Sequence, residues 1–564
     1  MKYFSVIALI FLISVPAVFA QRELGVKPAK TGGPLSANQA AYDVQSYDIA
    51  VSVKPSEKAI EGVVTVAAKI VNPTNVLDLD LENVFTVTDV SLVETGGRIA
   101  KLKFDRPDGK ILAWFPMTKQ AGESVSVRVT YFGKPRVAPR PPWVGGFMWE
   151  KTADGSPWIS IATQNDGADT WIPVKDHPSD KPSSVSLHAT VPQPLVVAAF
   201  GKFQNVKKNA DGTQTWNWLM TNPISNYEIV FNAAPYKVIK DKYKSIYGDI
   251  IPIEFYILPE DFDKGAWLIE ETKKYTAFYE KYVGPYPFRS QKLGIAETPH
   301  LGMEHSTLIA YGNKFRKTDD GFDSLMLHEY GHEWWANLVT GSDWRDFWIH
   351  EGFQSFMDTL YLEYINKGDQ TKYFAAMRDR MKHTRNVQPV APREEKIAYE
   401  VYLQAPEYIK GDGDIYGKGA VVLHTLRYLM GDEAFFRALR RMAYPTKAME
   451  RLTDGRQTRL VNTDDFLTIA QEESKMDLGW FFELYLRQPK LAKLDVDRKG
   501  GKLVLKWETP GNMPFPMPVD VEMNGKIRRV EMPGGTATID IEGSGDPIID
   551  PKGWVFRKEL AEAK

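Results

Sequence analysis

Residues 325–335 read LMLHEYGHEWW, which sets His328 and His332 four apart with Glu329 directly after the first. In an α-helix, positions four apart lie above one another, so the two imidazoles share a face. Two imidazoles so placed can hold one metal ion at about 2.0–2.1 Å each. Glu329 projects beside that face, within reach of a water on the ion. Zinc lowers the pKa of such a water toward about 7, and a neighbouring carboxylate can take its proton. Leu325, Met326, Leu327, Tyr330, Trp334, Trp335 and Leu338 make the stretch apolar nearly all round, which predicts a buried helix. Histidines and glutamates on such a helix are costly without partners, which favours a metal over a plain core helix.

A catalytic zinc needs three protein ligands and one open position. Glu351 follows His332 after eighteen intervening residues, within FWIHEGFQSFMDTLYLEY, a helical and amphipathic segment. The loop TGSDWRD lets the two helices pack antiparallel and bring Glu351 to the ion. No third histidine stands close behind the motif, where a metzincin carries one. The expectation is one Zn2+ per chain, held by His328, His332 and Glu351, the two-His, one-Glu set used for hydrolysis. His350 should point elsewhere on its helix, as a packing or supporting residue.

The elements that must position these groups are legible by periodicity. Tyr47, Ile49, Val51 and Val53 alternate with polar residues, as do Val64, Val66, Ala68 and Ile70, and Val125, Val127, Val129 and Tyr131. Such alternation marks half-buried strands, so residues 21–238 read as a β domain built on a large antiparallel sheet. From 239 to 490 helical spacing dominates, beginning with Trp267, Leu268, Thr272, Tyr275 and Phe278 on one broad face. Residues 491–564 return to short strands, and Asn524-Gly525 is a strong hairpin signal. The fold class is multidomain α+β: an N-terminal β domain, a mostly helical domain and a small C-terminal β domain.

The chain has 564 residues, 25% charged, with a net charge of −2, and it lacks the basic excess of a nucleic-acid binder. Residues 1–20 carry Lys2, an apolar run and Val18-Phe19-Ala20, the pattern of a secretion signal cleaved after Ala20. No later stretch has the roughly 20 apolar residues of a spanning helix. There is no cysteine, so export brings no disulfide. The mature chain is expected in the periplasm or secreted, with no membrane span after cleavage.

HEYGHEWW with its spacing to Glu351 resembles the gluzincins, and more narrowly the zinc aminopeptidase N and leukotriene hydrolase family. LGMEHSTLIAYGN at 301–313 resembles that family's exopeptidase segment, and IYGKGAVVLHTL at 415–426 its Tyr-x-Lys-Gly segment. Residues 163–192 resemble the end of its N-terminal β domain, and the likeness runs from about 40 to 490. The resemblance implies a saddle-shaped β domain, a thermolysin-like catalytic domain and a small β sandwich. It implies an aminopeptidase acting on peptides with a free N-terminus. Tyr416 would donate to the oxyanion, and Glu304 would hold the substrate's α-ammonium on a cleft-lining strand from Gly302 and Met303. Gln164 matches a further amine-binding position, with Asp166 near it where many members carry Glu. His305 and His350 stand where the family has Asn, and both keep hydrogen-bonding capacity. Many members add a long helical domain; here 491–564 read as β, which implies a more open cleft. An endopeptidase or epoxide hydrolase on the same site, or a non-catalytic binding protein that keeps the fold, are the competing readings.

Overall fold

In a computed structural model of the chain, residues 31–401, 414–542 and 545–562 are described. The proposed signal segment 1–20 lies outside them. Among the described residues no helix is long and apolar enough to cross a membrane.

The first domain is built on an eight-stranded sheet whose centre pairs Tyr42–Lys54 with Ala59–Ile70, and that strand with Ser124–Gly133. Each alternating set named above is buried on one face, from Tyr47 to Val53 and from Val64 to Ile70. The sheet is not wholly antiparallel: Tyr42–Lys54 runs parallel to Ser184–Pro192, with Ile49 beside Leu187. Alternation dictates which face a side chain takes but not which strand lies alongside. A second sheet of four strands contains Pro157–Ala162, and Gln164 lies just past its end.

Strand Lys237–Lys244 pairs with Ile250–Ile257. These strands open a five-stranded sheet whose far edge is Gly302–Met303, antiparallel to Ile309–Tyr311. Tyr311 ties this edge to the metal helix. Its hydroxyl donates to Asp323 Oδ2 at 2.6 Å, and Asp323 caps helix Ser324–Gly331 by accepting from the Met326 N–H at 3.0 Å.

The apolar run after that helix does not continue it. The α-helix ends at Gly331 and passes into a wider π turn, Glu333–Leu338, with non-helical backbone at Trp335 and Ala336. Helix Trp348–Ile365 carries Glu351 in its first turn. Helix Gly417–Met430 starts directly after Tyr416 and is buried along nearly its whole length.

The C-terminal domain comprises two three-stranded sheets with Leu503, Leu505, Trp507, Val519 and Val521 buried. Asn524 and Gly525 form its hairpin turn at φ 50° and 73°, the left-handed conformation such two-residue turns need. This domain packs on helix Gly417–Met430: Trp554 stacks on His424 at 4.7 Å, and Thr425 Oγ1 donates to the Trp554 carbonyl at 3.0 Å.

Candidate active site

The three expected metal ligands converge. His328 Nε2 and His332 Nε2 are 3.2 Å apart, and Glu351 Oε2 lies 3.4 and 3.3 Å from them. A tetrahedral ion with ligands at about 2.0–2.1 Å separates them by about 3.3–3.4 Å. The other ring nitrogens settle the tautomers. His332 Nδ1 faces the Trp335 carbonyl at 2.7 Å and must donate to it. His328 Nδ1 faces Asp358 Oδ2 at 2.7 Å. With both protons on Nδ1, each Nε2 presents a lone pair, and Glu351 Oε2 is buried without a hydrogen-bond donor. Three acceptors aimed at one point form a cradle for a cation, and the donor set and spacing fit zinc. Burial alone would raise the Glu351 carboxyl, but His332 and His328 in their protonated forms hold it below the usual carboxylate range, and a cation at the same point acts in the same sense.

The supporting partners were not read from the sequence. Asp358 stands seven residues after Glu351, two helical turns along the same face, a spacing that could have revealed it. Gln354 Nε2 donates to Asp358 Oδ1 at 2.9 Å, and the Tyr279 hydroxyl donates to Gln354 Oε1 at 2.8 Å. The Trp335 carbonyl is free to accept from His332 because the helix breaks there, a feature without a glycine or proline to signal it.

Glu329 is buried beside the metal ligands. Burial first, then the neighbouring Glu304 and Glu351 carboxylates, push its carboxyl up to about 8 against the opposing pull of the imidazoles. A cation at the three donors acts in the lowering sense. Gly302 makes room for this side chain, since a Cβ there would stand 2.6 Å from Glu329 Oε1 and 3.0 Å from its Cγ.

Glu304 is 2% exposed, and one of its carboxylate oxygens, one of Glu329's and one ring nitrogen of His332 all lie within 4.8 Å of one another. Gln164 Nε2 donates to Glu304 Oε1, and so does the Tyr227 hydroxyl, at 2.8 Å. Tyr227 is a further residue the sequence did not indicate, because it reaches Glu304 only through the docking of two domains. Asn337 Nδ2 donates to the Glu304 carbonyl at 2.9 Å and fixes the backbone from the other side. Burial raises the Glu304 carboxyl above its ordinary value.

Tyr416 lies with its ring 6.0 Å from the His328 ring, at 26° to it. Asp166 pairs with Arg136 and accepts from the Gly145 N–H, so both contacts tie its carboxylate to the loop between strands Ser124–Gly133 and Gly146–Lys151. The hydrogen-bonding capacity expected of His305 is not used either. Its ring is fully buried, and neither nitrogen has a hydrogen-bond partner among the described residues. His350 Nε2 accepts from the Gly341 N–H at 2.9 Å and so braces the loop before its helix.

Two family profiles match, "Peptidase M1 N-terminal domain" over residues 44–227 and "Peptidase family M1 domain" over 267–485. The chain belongs to peptidase family M1. Among M1 relatives, leucine aminopeptidase 2 of Vanderwaltozyma polyspora is 27% identical over 246 residues, 42% of this chain and 34% of that protein. Aminopeptidase N of Streptomyces lividans is 26% identical over 283 residues, 48% of this chain and 32% of that one. The chain thus spans about a third of the length of these curated relatives. The M1 fold is shared with a zinc metallopeptidase of Deinococcus radiodurans solved with a Tyr-Ser-Ala substrate, at a TM-score of 0.65 and 22% identity, over 82% of this chain and 98% of that one.

Proposed function

We propose that this M1 chain is an exported, zinc-dependent aminopeptidase that removes the N-terminal residue from peptides. The observation that carries the reading is the Glu304 carboxylate, buried beside Glu329 and His332 and held by Gln164 and Tyr227. A buried carboxylate within 4.8 Å of Glu329 and His332 is suited to anchor a substrate's α-ammonium about one amino-acid residue from the scissile bond. The relatives named as aminopeptidases support the same activity. The N-terminal sequence pattern supports export.

Zinc on His328, His332 and Glu351 supplies Lewis-acid polarisation and an acidified water. Glu329 takes a proton from the attacking water as its oxygen bonds to the carbonyl carbon. Tyr416 donates a hydrogen bond to the oxygen on which negative charge develops. Glu329 then gives the proton to the amide nitrogen as the C–N bond breaks. Glu304, steadied by Gln164 and Tyr227, fixes which bond stands in line.

The test compares kcat/KM for a peptide with a free N-terminus and for its acetylated twin. The free peptide should be cut and the acetylated one left intact, because acetylation removes the charge and fills the space where the chain must end. Glu304→Ala should lose about 10-fold to 100-fold on the free peptide, the worth of a charge-assisted hydrogen bond of about 1.5–3 kcal/mol. Efficient internal cleavage of the acetylated peptide by the wild type would replace this reading with an endopeptidase.

A further inference from the structure

Helix Trp348–Ile365, which carries Glu351, and helix Gly417–Met430, which follows Tyr416, meet at two glycines. A Cβ on Gly352 would stand 2.9 Å from the Gly419 Cα and 3.0 Å from the Ile415 carbonyl oxygen. A Cβ on Gly419 would stand 2.7 Å from the Gly352 Cα. These contacts are backbone on backbone, so no side chain can swing away to relieve them. Gly352 directly follows the metal ligand Glu351. Gly419 lies three residues after Tyr416, close to one helical turn along the same face. This close backbone contact between the two helices therefore falls next to both functional side chains.

The far side of the same helix start is also held. Lys418 is fully buried, and its Nζ donates to the carbonyls of Gln488 and Pro489 at 3.3 and 3.1 Å. Asp414, just before Tyr416, accepts from the N–H groups of Arg385 and Asn386 at 2.7 and 2.8 Å. Gly417 differs from its neighbours, since a Cβ there would meet nothing nearer than 3.9 Å.

The geometry points to Gly352, Gly419 and Lys418 as positioning residues that set the distance between the Tyr416 hydroxyl and the metal ligands, so that transition-state stabilisation depends on a glycine-to-glycine helix contact. This rests on the hydrolase reading and on Tyr416 as the oxyanion donor. A methyl at the contact forces the helices apart by about half an ångström to one ångström, and a misplacement of that size near the chemistry costs up to about 100-fold. A hydrogen-bond donor in that role works only at about 2.7–3.1 Å.

The test is a double-variant cycle on the full-length, zinc-loaded protein. Gly419→Ala should retain full zinc content and KM and lose about 10-fold to 100-fold in kcat, while Gly417→Ala stays at the wild-type rate. In a Tyr416→Phe background, Gly419→Ala should cost less than about threefold more, because the effect runs through a hydroxyl already gone. Binding gives a readout independent of turnover. A phosphinic dipeptide, whose tetrahedral oxygen mimics the oxyanion, should bind more weakly to Gly419→Ala and to Tyr416→Phe, with a free amino acid bound as by wild type. If Gly419→Ala does not fold, Gly352→Ala presents the methyl from the facing helix, and Lys418→Met releases the helix start without adding bulk at the contact. Both carry the same cycle. Wild-type kcat in Gly419→Ala, or losses that multiply with Tyr416→Phe, overturns the inference. An inactive wild type would instead remove the hydrolase reading itself.

Discussion

Asp358→Ala should weaken zinc binding without touching a ligand. The carboxylate accepts from His328 Nδ1 at 2.7 Å and from Gln354 Nε2 at 2.9 Å, so it fixes the His328 tautomer and adds negative charge behind the imidazole. A hydrogen bond to a charged group contributes about 1.5–3 kcal/mol, and about 1.4 kcal/mol is a tenfold change in an equilibrium constant. The side chains of His328 and Asp358 are each 19% exposed, so solvent screening places the effect at the lower end. The expected rise in zinc Kd is about 10-fold to 30-fold, within the roughly 10-fold to 100-fold range of partners behind a metal ligand. Asp358→Asn should fall between wild type and Ala. Both of its partners are donors, and an amide has one acceptor oxygen, so either His328 or Gln354 loses its bond. The assay is competition against a chromogenic chelator at fixed pH and salt, with circular dichroism to confirm the fold. A wild-type Kd in Asp358→Ala would refute the claim that this carboxylate orients His328.

Glu351→Ala should bring zinc content well below one per chain by elemental analysis, because two imidazoles alone make an incomplete site; full occupancy would remove Glu351 from the ligand set. Glu329→Gln should keep zinc and lose about 100-fold to 10,000-fold in kcat, the range of a positioned general base, and a rate near wild type would move that role elsewhere. Asp176 gives a pH prediction. Burial, with Asp169 and Asp80 nearby, pushes its carboxyl up to about 8. An unfolded aspartate titrates near about 3.9, so between these values the folded state binds more protons and stability falls as pH rises. Asp176→Asn should gain stability over wild type progressively from about pH 4 to about pH 8 in urea titrations, whereas a constant difference across that window would contradict the sign.

Much of this arrangement was legible because it is local. His328, Glu329 and His332 share one short helix, and the spacing to Glu351 carries the third ligand. Strand faces were legible from alternation at Tyr47, Ile49, Val51 and Val53, since the period of two decides what is buried. The parallel neighbour at Ser184–Pro192 was not, because register and adjacency depend on the rest of the sheet. The break at Trp335 and Ala336 was hidden for a related reason. Its apolar residues read as more helix, and the π turn is held by contacts distant in sequence, such as Asn337 to the Glu304 carbonyl.

The metal site and the Glu304 site differ in how they are assembled. His328, His332, Glu351 and their partners Asp358 and Trp335 come from one domain and about thirty residues of chain. Glu304 takes both of its side-chain partners, Gln164 and Tyr227, from the other domain. Lys181 reinforces that junction, donating to the Asn337 carbonyl at 2.8 Å and to Thr340 Oγ1 at 2.7 Å, directly behind the residue that holds the Glu304 backbone. Under the proposed function, metal affinity rests on the helix pair around Asp358, rate on the glycine contact beside Tyr416, and the choice of a free amine on the docking of the β domain against Glu304. Under that reading, a change in the β domain near Gln164 or Tyr227 acts first on substrate selection, through their hydrogen bonds to Glu304.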